Sequence, residues 1–236
     1  PISITSIDYN VVSGISRVSK EMMADILILG WPGKAGIINK LAGERVNKII
    51  YSGNKNVFVT SLENAFVANK RIILVTPHLA NKEKGFKLWT EKVLKLASEL
   101  SAQILHFGTE EVDKSLKTLV KKNKFNVKIE FSEFSEWEDF LILARYIEKD
   151  DLMIVASARR NSFSYVPYFE NIFSKIERYY SEYNRIVIFP QQIEGSIAQY
   201  DDLANNPLTK GIEAIENIGK GIGKIFVKSE EEEQNS

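Results

Sequence analysis

The chain has 236 residues, of which 44% are hydrophobic and 26% are charged, a composition typical of a globular protein with one large domain or two small ones. Basic and acidic residues both number 31, so the net charge is zero and no basic field indicates a nucleic-acid-binding protein. The chain contains no cysteine, which excludes disulfides and thiolate metal sites, and its two histidines are too far apart in sequence to suggest a zinc site.

Strand-like and helix-like segments alternate along the chain up to residue 190. The strand-like runs are rich in Ile, Val, Leu and Phe, and most are nearly continuous in apolar residues, as expected for strands buried on both faces of a parallel sheet. Apolar residues at spacings of three and four predict helices within 11–22, 86–100 and 137–147. This order predicts an α/β fold with right-handed crossovers. The predicted strands are 2–7, 25–30, 56–62, 71–77, 103–108, 126–131, 151–156 and 185–190.

The sequence also repeats itself. Residues 24–30 match residues 150–156 at an offset of 126 residues, about the size of one α/β domain. The unit at 67–192 contains five strands and predicts a doubly wound parallel five-stranded sheet of order 3-2-1-4-5. The unit at 1–66 contains counterparts of only the last three strands. We therefore expect one complete and one partial unit, the partial one being completed by a longer N-terminus in the natural protein or by another chain.

The character of the sequence changes after the last strand, and 193–236 is predicted to be a separate C-terminal segment. Apolar residues recur at helical spacing within 208–227, but four glycines weaken a helix there. An amphipathic docking helix is favoured over a disordered tail. Residues 229–236 form an acidic tail.

A glycine loop follows the apolar run 25–30 and raises the question of phosphate binding. Gly30 and Gly33 can admit a ligand close to the backbone, at the carboxyl edge where open α/β sheets bind ligands. Residues 37–49 predict a helix, in which Gly43 costs about 1 kcal/mol relative to alanine. One interpretation is that Gly43 begins a second anion nest at a helix N-terminus. The other is that these are turn and packing glycines.

The spacing of the three glycines resembles the nucleotide loop of the universal stress protein family, in which two and nine residues separate the glycines and Ser or Thr follows the last one. The resemblance covers about residues 1–190. It implies a site for ATP, AMP or a cyclic dinucleotide, with Mg²⁺ possible and no tightly bound cofactor. The residues of this implied site and their neighbours are Leu29, Gly30, Trp31, Gly33, Lys34, Gly43, Glu44 and Arg45.

Two residues of this loop set it apart from the family pattern. Glu44 stands where the family has Ser or Thr, and its carboxylate would repel a γ-phosphate unless Mg²⁺, Arg45 or Lys34 screened it. Trp31 has no helix face to serve, so among the aromatic residues we expect it to touch a ligand or a partner.

The corresponding loop of the second unit contains no glycine. Ala156 and Arg159 replace the first two glycines, and His78 stands about where the family carries an acidic residue. The resemblance therefore implies a degenerate ATP site. Ser157, Arg159 and Arg160 could still hold an anion, although a pair of exposed loop arginines is also typical of plain surface.

Other conspicuous residues favour structural roles. The acidic residues within 136–139 follow Ser135 and indicate a helix start rather than an acid–base pair or a metal site. Trp89 and Trp137 lie at helix-core spacing, and His106 lies inside a strand, where we expect its polar atoms to be satisfied. No Ser/His/Asp set with supporting spacing is found.

A more specific resemblance lies in the wording of four stretches, which are 9–36, 85–100, 135–145 and 150–169. They resemble the bacterial monovalent cation/proton antiporters of the second family, whose cytoplasmic tails carry tandem universal-stress-like domains after a membrane bundle. The resemblance implies a non-catalytic regulatory domain on the cytoplasmic side of an inner-membrane protein, with the membrane transporter domain upstream. It also implies that the domain senses a nucleotide or another anion.

Three alternatives stay open. The chain could be a stand-alone tandem universal stress protein that binds ATP or AMP, a nucleotide-blind dimerisation scaffold, or an ATP-using enzyme on the same fold. Proteins of this family tend to dimerise through the edge of their last strand, so 56–62 or 185–190 would form a homodimer through sheet edges.

Overall fold

Apolar strands form one sheet of seven strands, and helices cover both of its faces. The computed structural model describes residues 3–5, 7–32 and 37–192. The strands are β1 (Ile26–Gly30), β2 (Asn56–Ser61), β3 (Arg71–Val75), β4 (Gln103–Gly108), β5 (Ile129–Glu133), β6 (Asp151–Ala156) and β7 (Asn184–Phe189). The α-helices are α1 (Val11–Glu21), α2 (Ile37–Ser52), α3 (Phe86–Leu100), α4 (Glu110–Asn123) and α5 (Ile172–Tyr180).

The strands lie in the order β1-β2-β7-β6-β3-β4-β5. All neighbouring pairs are parallel except β2 and β7, which run antiparallel with Val57 opposite Phe189. The predicted extent of five strands is wrong, because the two strands of the first unit join the five of the second in a single sheet. An unpaired edge on either unit would leave backbone N–H and C=O groups without partners, and the β2–β7 pairing satisfies both edges.

This pairing also changes the expectation for a homodimer. The segments 56–62 and 185–190 were expected to pair between copies, but they pair with each other inside the chain. Each of these strands has a second neighbour, β1 or β6, so neither is an edge.

The two faces of the sheet carry separate apolar cores. Helices α3 and α4 cover one face with Trp89, and α5 covers the other together with a three-ten helix that includes Trp137. Both tryptophans are buried, which confirms the prediction from their spacing. All six residues of β6 are buried as well, as expected for a central parallel strand.

The first unit differs from expectation at its start. Helix α1 is confirmed, and the side chain of Asn10 caps it by accepting a hydrogen bond from the amide of Ser13 at 2.9 Å. The strand predicted at 2–7 is wrong for the part of this segment that the structure describes, in which residues 3–5 and 7 form no strand. A strand needs a neighbour, and no described strand lies beside this segment.

The segment predicted as a helix at 137–147 is a three-ten helix, Trp137–Arg145. Its buried residues, Trp137, Phe140 and Leu143, recur at a strict spacing of three, which fits three residues per turn. The acidic residues Glu138 and Asp139 lie in its first turn, in agreement with the predicted helix start.

No helix among the described residues is both long and apolar enough to cross a bilayer. The docking helix and acidic tail predicted for 193–236 lie outside the described residues.

Candidate functional site

The loop after β1 leaves the sheet at its carboxyl edge. The chain stays paired with β2 up to Trp31, whose amide donates to the carbonyl of Thr60 at 2.8 Å, and the Thr60 hydroxyl donates to the carbonyl of Leu29 at 3.3 Å. Gly30 is exposed, and none of the described residues has an atom within 4 Å of the place where its Cβ would stand. Packing therefore does not require a glycine here, and the backbone is open to an approaching group.

Trp31 packs against the second unit. Its ring meets that of Phe173 in α5 edge-on, with 5.2 Å between centroids, and the guanidinium of Arg185 lies 4.8 Å from its ring centroid. Arg185 is itself buried and donates to Glu177 at 2.8 Å. Trp31 therefore packs against α5 and β7 within the chain. Its contact with a ligand or a partner stays a prediction.

The remaining residues of the glycine loop divide into two groups. Gly33 and Lys34 lie outside the described residues. Gly43 lies in the middle of α2, followed by the exposed Glu44 and Arg45. The helix does not restart at Gly43, and amides this far along a helix are bonded to carbonyls of the preceding turn. The interpretation of a second anion nest at a helix N-terminus is therefore wrong for this position.

A Cβ on Gly43 would have one neighbour among the described residues, Cβ of Pro32 at 3.8 Å. This is an ordinary van der Waals contact, so crowding does not explain the glycine.

The second predicted anion site is occupied by the protein itself. Arg159 is 2% exposed, and its guanidinium donates to backbone carbonyls. The distances are 2.6 Å to Ile50 and 2.7 Å to Lys55, and further contacts reach Phe189 and Pro190. The prediction of an exposed arginine that holds an anion is wrong, because all three nitrogens of this side chain are used to bind carbonyl groups.

Arg159 thereby joins the two units. Its partner Ile50 belongs to the last turn of α2, where helix carbonyls lack intrahelical donors and the dipole favours a cation. Of its other partners, Lys55 follows α2, Phe189 is the last residue of β7, and Pro190 comes directly after it. Burial lowers the pKa of Arg159 to about 10, against the opposing influence of Tyr51 and Glu83, so the side chain remains a cation at neutral pH.

The neighbours of Arg159 do not form an anion site with it. Arg160 is exposed and pairs with Glu170 at 3.0 Å. Ser157 is buried, its amide donates to the carbonyl of Ile188 at 2.8 Å, and its hydroxyl has no hydrogen-bond partner among the described residues. The three predicted residues therefore have different surroundings.

The crevice between β3 and β6, where the strand order reverses, is bridged by the chain. The buried carboxylate of Glu83, in the loop after β3, accepts hydrogen bonds from the amide and hydroxyl of Ser164 at 2.9 and 2.7 Å. Such a switch point is the usual ligand position in open α/β sheets. In this chain, contacts between the two loops bridge that position.

The first unit also reaches this edge. The side chain of Asn56, at the start of β2, accepts from the amide of Gln191 at 3.0 Å. A Cβ on Gly85 would stand 2.3 Å from Oδ1 of Asn56, so only glycine permits this approach. The residue types at this junction are dictated by close packing between units.

Sequence reasoning missed a buried polar line at the ends of β3 and β4. His106 lies 2.9 Å from the hydroxyl of Thr76 through Nε2 and 3.2 Å from Oδ1 of Asp113 through Nδ1. The ammonium of Lys117 lies 2.6 Å from the other oxygen of Asp113. The expectation that His106 is satisfied in the core is confirmed. A Cβ on Gly108 would stand 2.4 Å from the Thr76 hydroxyl, so this line also requires a glycine.

The line is electrostatically balanced. Burial lowers the pKa of His106, and Asp113 opposes this shift only in part. Burial raises the pKa of Asp113, but the hydrogen bonds from His106 and Lys117 outweigh it and lower the pKa overall. His106 is thus held neutral beside an ionised Asp113. Thr76, His106 and Asp113 are all buried, so the line satisfies polar groups inside the fold.

Comparison with known proteins finds similarity among solved structures. No protein-family model matches the chain, and no curated protein matches it. Among solved structures, it is similar to a universal stress protein from Archaeoglobus fulgidus DSM 4304, with 12% sequence identity and a TM-score of 0.47. The match covers 76% of this chain and 65% of that chain. The likeness concerns the α/β fold.

Proposed function

We propose that the chain is a non-catalytic regulatory domain of a cation/proton antiporter, on the cytoplasmic side of the membrane, and that the loop after β1 senses a nucleotide or another anion. The observation that carries the ligand assignment is a contrast between repeated positions. Gly30 is open to solvent at the carboxyl edge, whereas the corresponding loop of the second unit is filled by Arg159. Gly30 can therefore be approached by a ligand, whereas the loop of the second unit cannot.

The exposed charges that follow Gly43 on α2 restrict the ligand, because a Cβ on Gly43 would stand 3.8 Å from Cβ of Pro32 at the start of the loop. Glu44 disfavours a γ-phosphate, and Arg45 next to it offers a cation to a less charged group. AMP or a cyclic dinucleotide therefore fits better than ATP, and ATP would need Mg²⁺ to screen the carboxylate.

Calorimetric titration of the 236-residue chain with AMP, ATP plus Mg²⁺ and cyclic dinucleotides tests the ligand assignment. The informative variant is Gly30→Leu, because the space beside Gly30 is open and the added side chain leaves the fold intact. We expect saturable binding to the parent chain and its loss in this variant, at an unchanged thermal midpoint.

Gly43→Ala is the matched control. It replaces a mid-helix glycine next to a tolerable contact with Pro32, so we expect it to stabilise the chain by about 0.5–1 kcal/mol and to leave binding unchanged. Loss of binding in Gly43→Ala would instead assign Gly43 to the site. Absence of any saturable binding to the parent chain contradicts the sensor.

The antiporter assignment is supported by the resemblance of the stretches 9–36, 85–100, 135–145 and 150–169. Its test is the natural coding sequence ahead of Pro1. We expect ten or more apolar segments of about 20 residues each, the length that spans a bilayer. A start codon immediately before Pro1 contradicts the assignment and favours a stand-alone protein.

A nucleotide-blind scaffold is the second candidate function. The packing of Trp31 against Phe173 and Arg185 favours it, because this residue holds the start of the loop against the second unit without any ligand. The titration distinguishes the two candidates.

A further inference from the structure

Charge is unevenly distributed along this neutral chain. Residues 82–128, which contain α3 and α4, carry 11 lysines, no arginine and 6 acidic residues, a net charge of +5. The segment that follows, 129–151, carries 8 acidic residues against Arg145 and Lys149, a net charge of −6. The net charge of zero therefore conceals two adjacent segments of opposite sign.

These two segments lie on opposite faces of the sheet. Helices α3 and α4 cover one core, whereas the three-ten helix Trp137–Arg145 packs into the core of the other face. Glu136, Glu138 and Asp139, at the start of that three-ten helix, are exposed. The described part of the chain thus carries a charge dipole across its sheet, with the basic end on the side of α3 and α4.

The basic charge of α4 forms a stripe on its solvent side. The stripe consists of exposed lysines at spacings of three, four and three residues, and it is about 15 Å long at 1.5 Å per residue. The first two lysines pair with Glu110 and Asp113 on the same helix. The later ones, together with Lys122, have no acidic partner among the described residues. The stripe consists of Lys114, Lys117, Lys121 and Lys124.

The basic surface continues onto α3. The side-chain amide of Asn123, at the end of α4, donates to the carboxylate of Glu91 on α3 at 3.3 Å, so the last turn of α4 lies beside α3. Lys87 and Lys95 lie one turn before and one turn after Glu91, and Lys92 next to it is exposed. We call the combined surface the lysine face. It consists of Lys87, Lys92, Lys95, Lys114, Lys117, Lys121, Lys122 and Lys124.

The composition of this region discriminates between kinds of anionic partner. Arginine, which reads base edges and binds phosphate in a bidentate manner, is absent from 82–128. Its aromatic residues Phe86, Trp89 and Phe107 are buried and Phe125 is half-buried, so no exposed ring can stack on a nucleobase. Ammonium groups spread over two helices need no fixed geometry. They suit the laterally distributed charge of a lipid headgroup layer.

We propose that the lysine face docks this chain on the surface of an anionic phospholipid bilayer. The dipole across the sheet sets the orientation, because a negative surface attracts the lysine face and repels the acidic residues on the opposite side. The association is peripheral and electrostatic. It is independent of ligand sensing by the loop after β1, and it holds whether or not a transporter domain precedes the chain.

Co-sedimentation of the whole 236-residue chain with lipid vesicles tests the docking. One set of vesicles contains phosphatidylcholine alone, and the other is an equimolar mixture with phosphatidylglycerol. We expect saturable binding to the anionic vesicles and none to phosphatidylcholine. Raising NaCl from about 0.1 M to about 1 M shortens the Debye length from about 10 Å to about 3 Å and should release the bound chain.

The informative variant combines Lys121→Gln, Lys122→Gln and Lys124→Gly. Lys124 follows α4 with φ 54°, a left-handed conformation that favours glycine, so this change offsets the loss of two cations from the last turn of the helix. We expect an almost unchanged thermal midpoint. Because each lysine near an anionic surface contributes to the attraction, binding to the anionic vesicles should fall about tenfold or more.

A matched control removes three positive charges from other parts of the chain. It combines Lys20→Gln, Lys48→Gln and Lys149→Gln, which replace exposed lysines of α1, of α2 and of the turn before β6. The total charge is the same as in the first variant. We expect the control to bind the anionic vesicles nearly as tightly as the parent chain.

The contrary outcomes overturn the proposal. They are no saturable binding to anionic vesicles, equal binding to phosphatidylcholine, binding that persists at high salt, and equal losses in the two triple variants. An anisotropy titration with a labelled DNA duplex completes the test. Tighter binding to the duplex than to the vesicles, lost in the first variant, would assign the lysine face to nucleic acid and would also overturn the proposal.

Discussion

The two units of this chain start from the same sequence pattern and end in different physical states. β6 is surrounded by β3 and β7 and is buried along its whole length. Its repeat counterpart β1 has one neighbour among the described strands, and its Ile28 is exposed. The loops that follow these two strands also differ in how far the protein's own side chains fill them. After β6 the chain inserts Arg159 among its own carbonyls, and after β1 it presents an open Gly30.

The difference shows that two strands with similar sequences can differ in burial and in the strands beside them. Burial of a parallel strand depends on neighbours that are far away in sequence, and a loop at the carboxyl edge is free only when no other segment fills it. In the second unit these neighbours are present and the polar groups are satisfied internally. In the first unit, β1 has β2 as its neighbour in the described part of the sheet, and Ile28 is exposed.

Truncating the same residue in both units measures the difference in burial between β6 and β1. Ile154→Ala leaves a cavity in a central strand and should lower the free energy of unfolding by about 4 kcal/mol. Ile28→Ala removes the same atoms from an exposed site and should cost about 0.5 kcal/mol. Chemical denaturation of both variants measures the contrast. Similar losses at the two positions would mean that β1 is covered in solution.

The alternation of segments predicts the fold class, because buried strands are uniformly apolar and helices carry apolar residues at spacings of three and four. It does not predict the extent of the sheet. Whether β2 and β7 form two edges or one antiparallel pair depends on how the units meet, and both strands are apolar in either case. The false strand at 2–7 has the same origin, since composition shows β propensity but not the absence of a partner.

The second prediction concerns the filled loop. Arg159→Met keeps most of the apolar stem but leaves several backbone carbonyls without their donor, so it should lower the free energy of unfolding by about 3 kcal/mol. Arg160→Met is the neighbouring control, and the loss of a surface ion pair with Glu170 should cost about 0.5 kcal/mol. Urea denaturation distinguishes them. If Arg159→Met is as mild as Arg160→Met, the carbonyls find other donors and the loop is less filled than its contacts indicate.

This site also shows where sequence reasoning ends. Arg159 and Arg160 are adjacent and chemically identical, and one is buried while the other is exposed. What separates them is the C-terminal turn of α2, more than one hundred residues earlier in the chain. The line of Thr76, His106 and Asp113 was missed for a similar reason, since the register of β3 against β4 decides whether these side chains meet.

The smallest predicted effect is a pH dependence that belongs to the second unit, which contains both histidines of the chain. Burial places the pKa of His106 below its ordinary value of 6.5 in the folded chain. Below pH 6.5 the unfolded chain therefore binds a proton that the folded chain does not, and stability must fall as pH decreases, by at most about 1.4 kcal/mol per pH unit. Above pH 6.5 His106 is neutral in both states and contributes no slope.

Asp113 does not contribute to the change in stability between pH 7 and 5. Its pKa is lowered, so its stabilising charge is lost only below pH 3.8. Thermal unfolding between pH 7 and 5 should show the decline in the parent chain and a flatter profile in His106→Gln, which is less stable at pH 7 but has no proton to gain. An equally steep decline in His106→Gln would assign the acid sensitivity to other groups. It would then contradict the inference that burial of His106 in the second unit makes stability depend on pH.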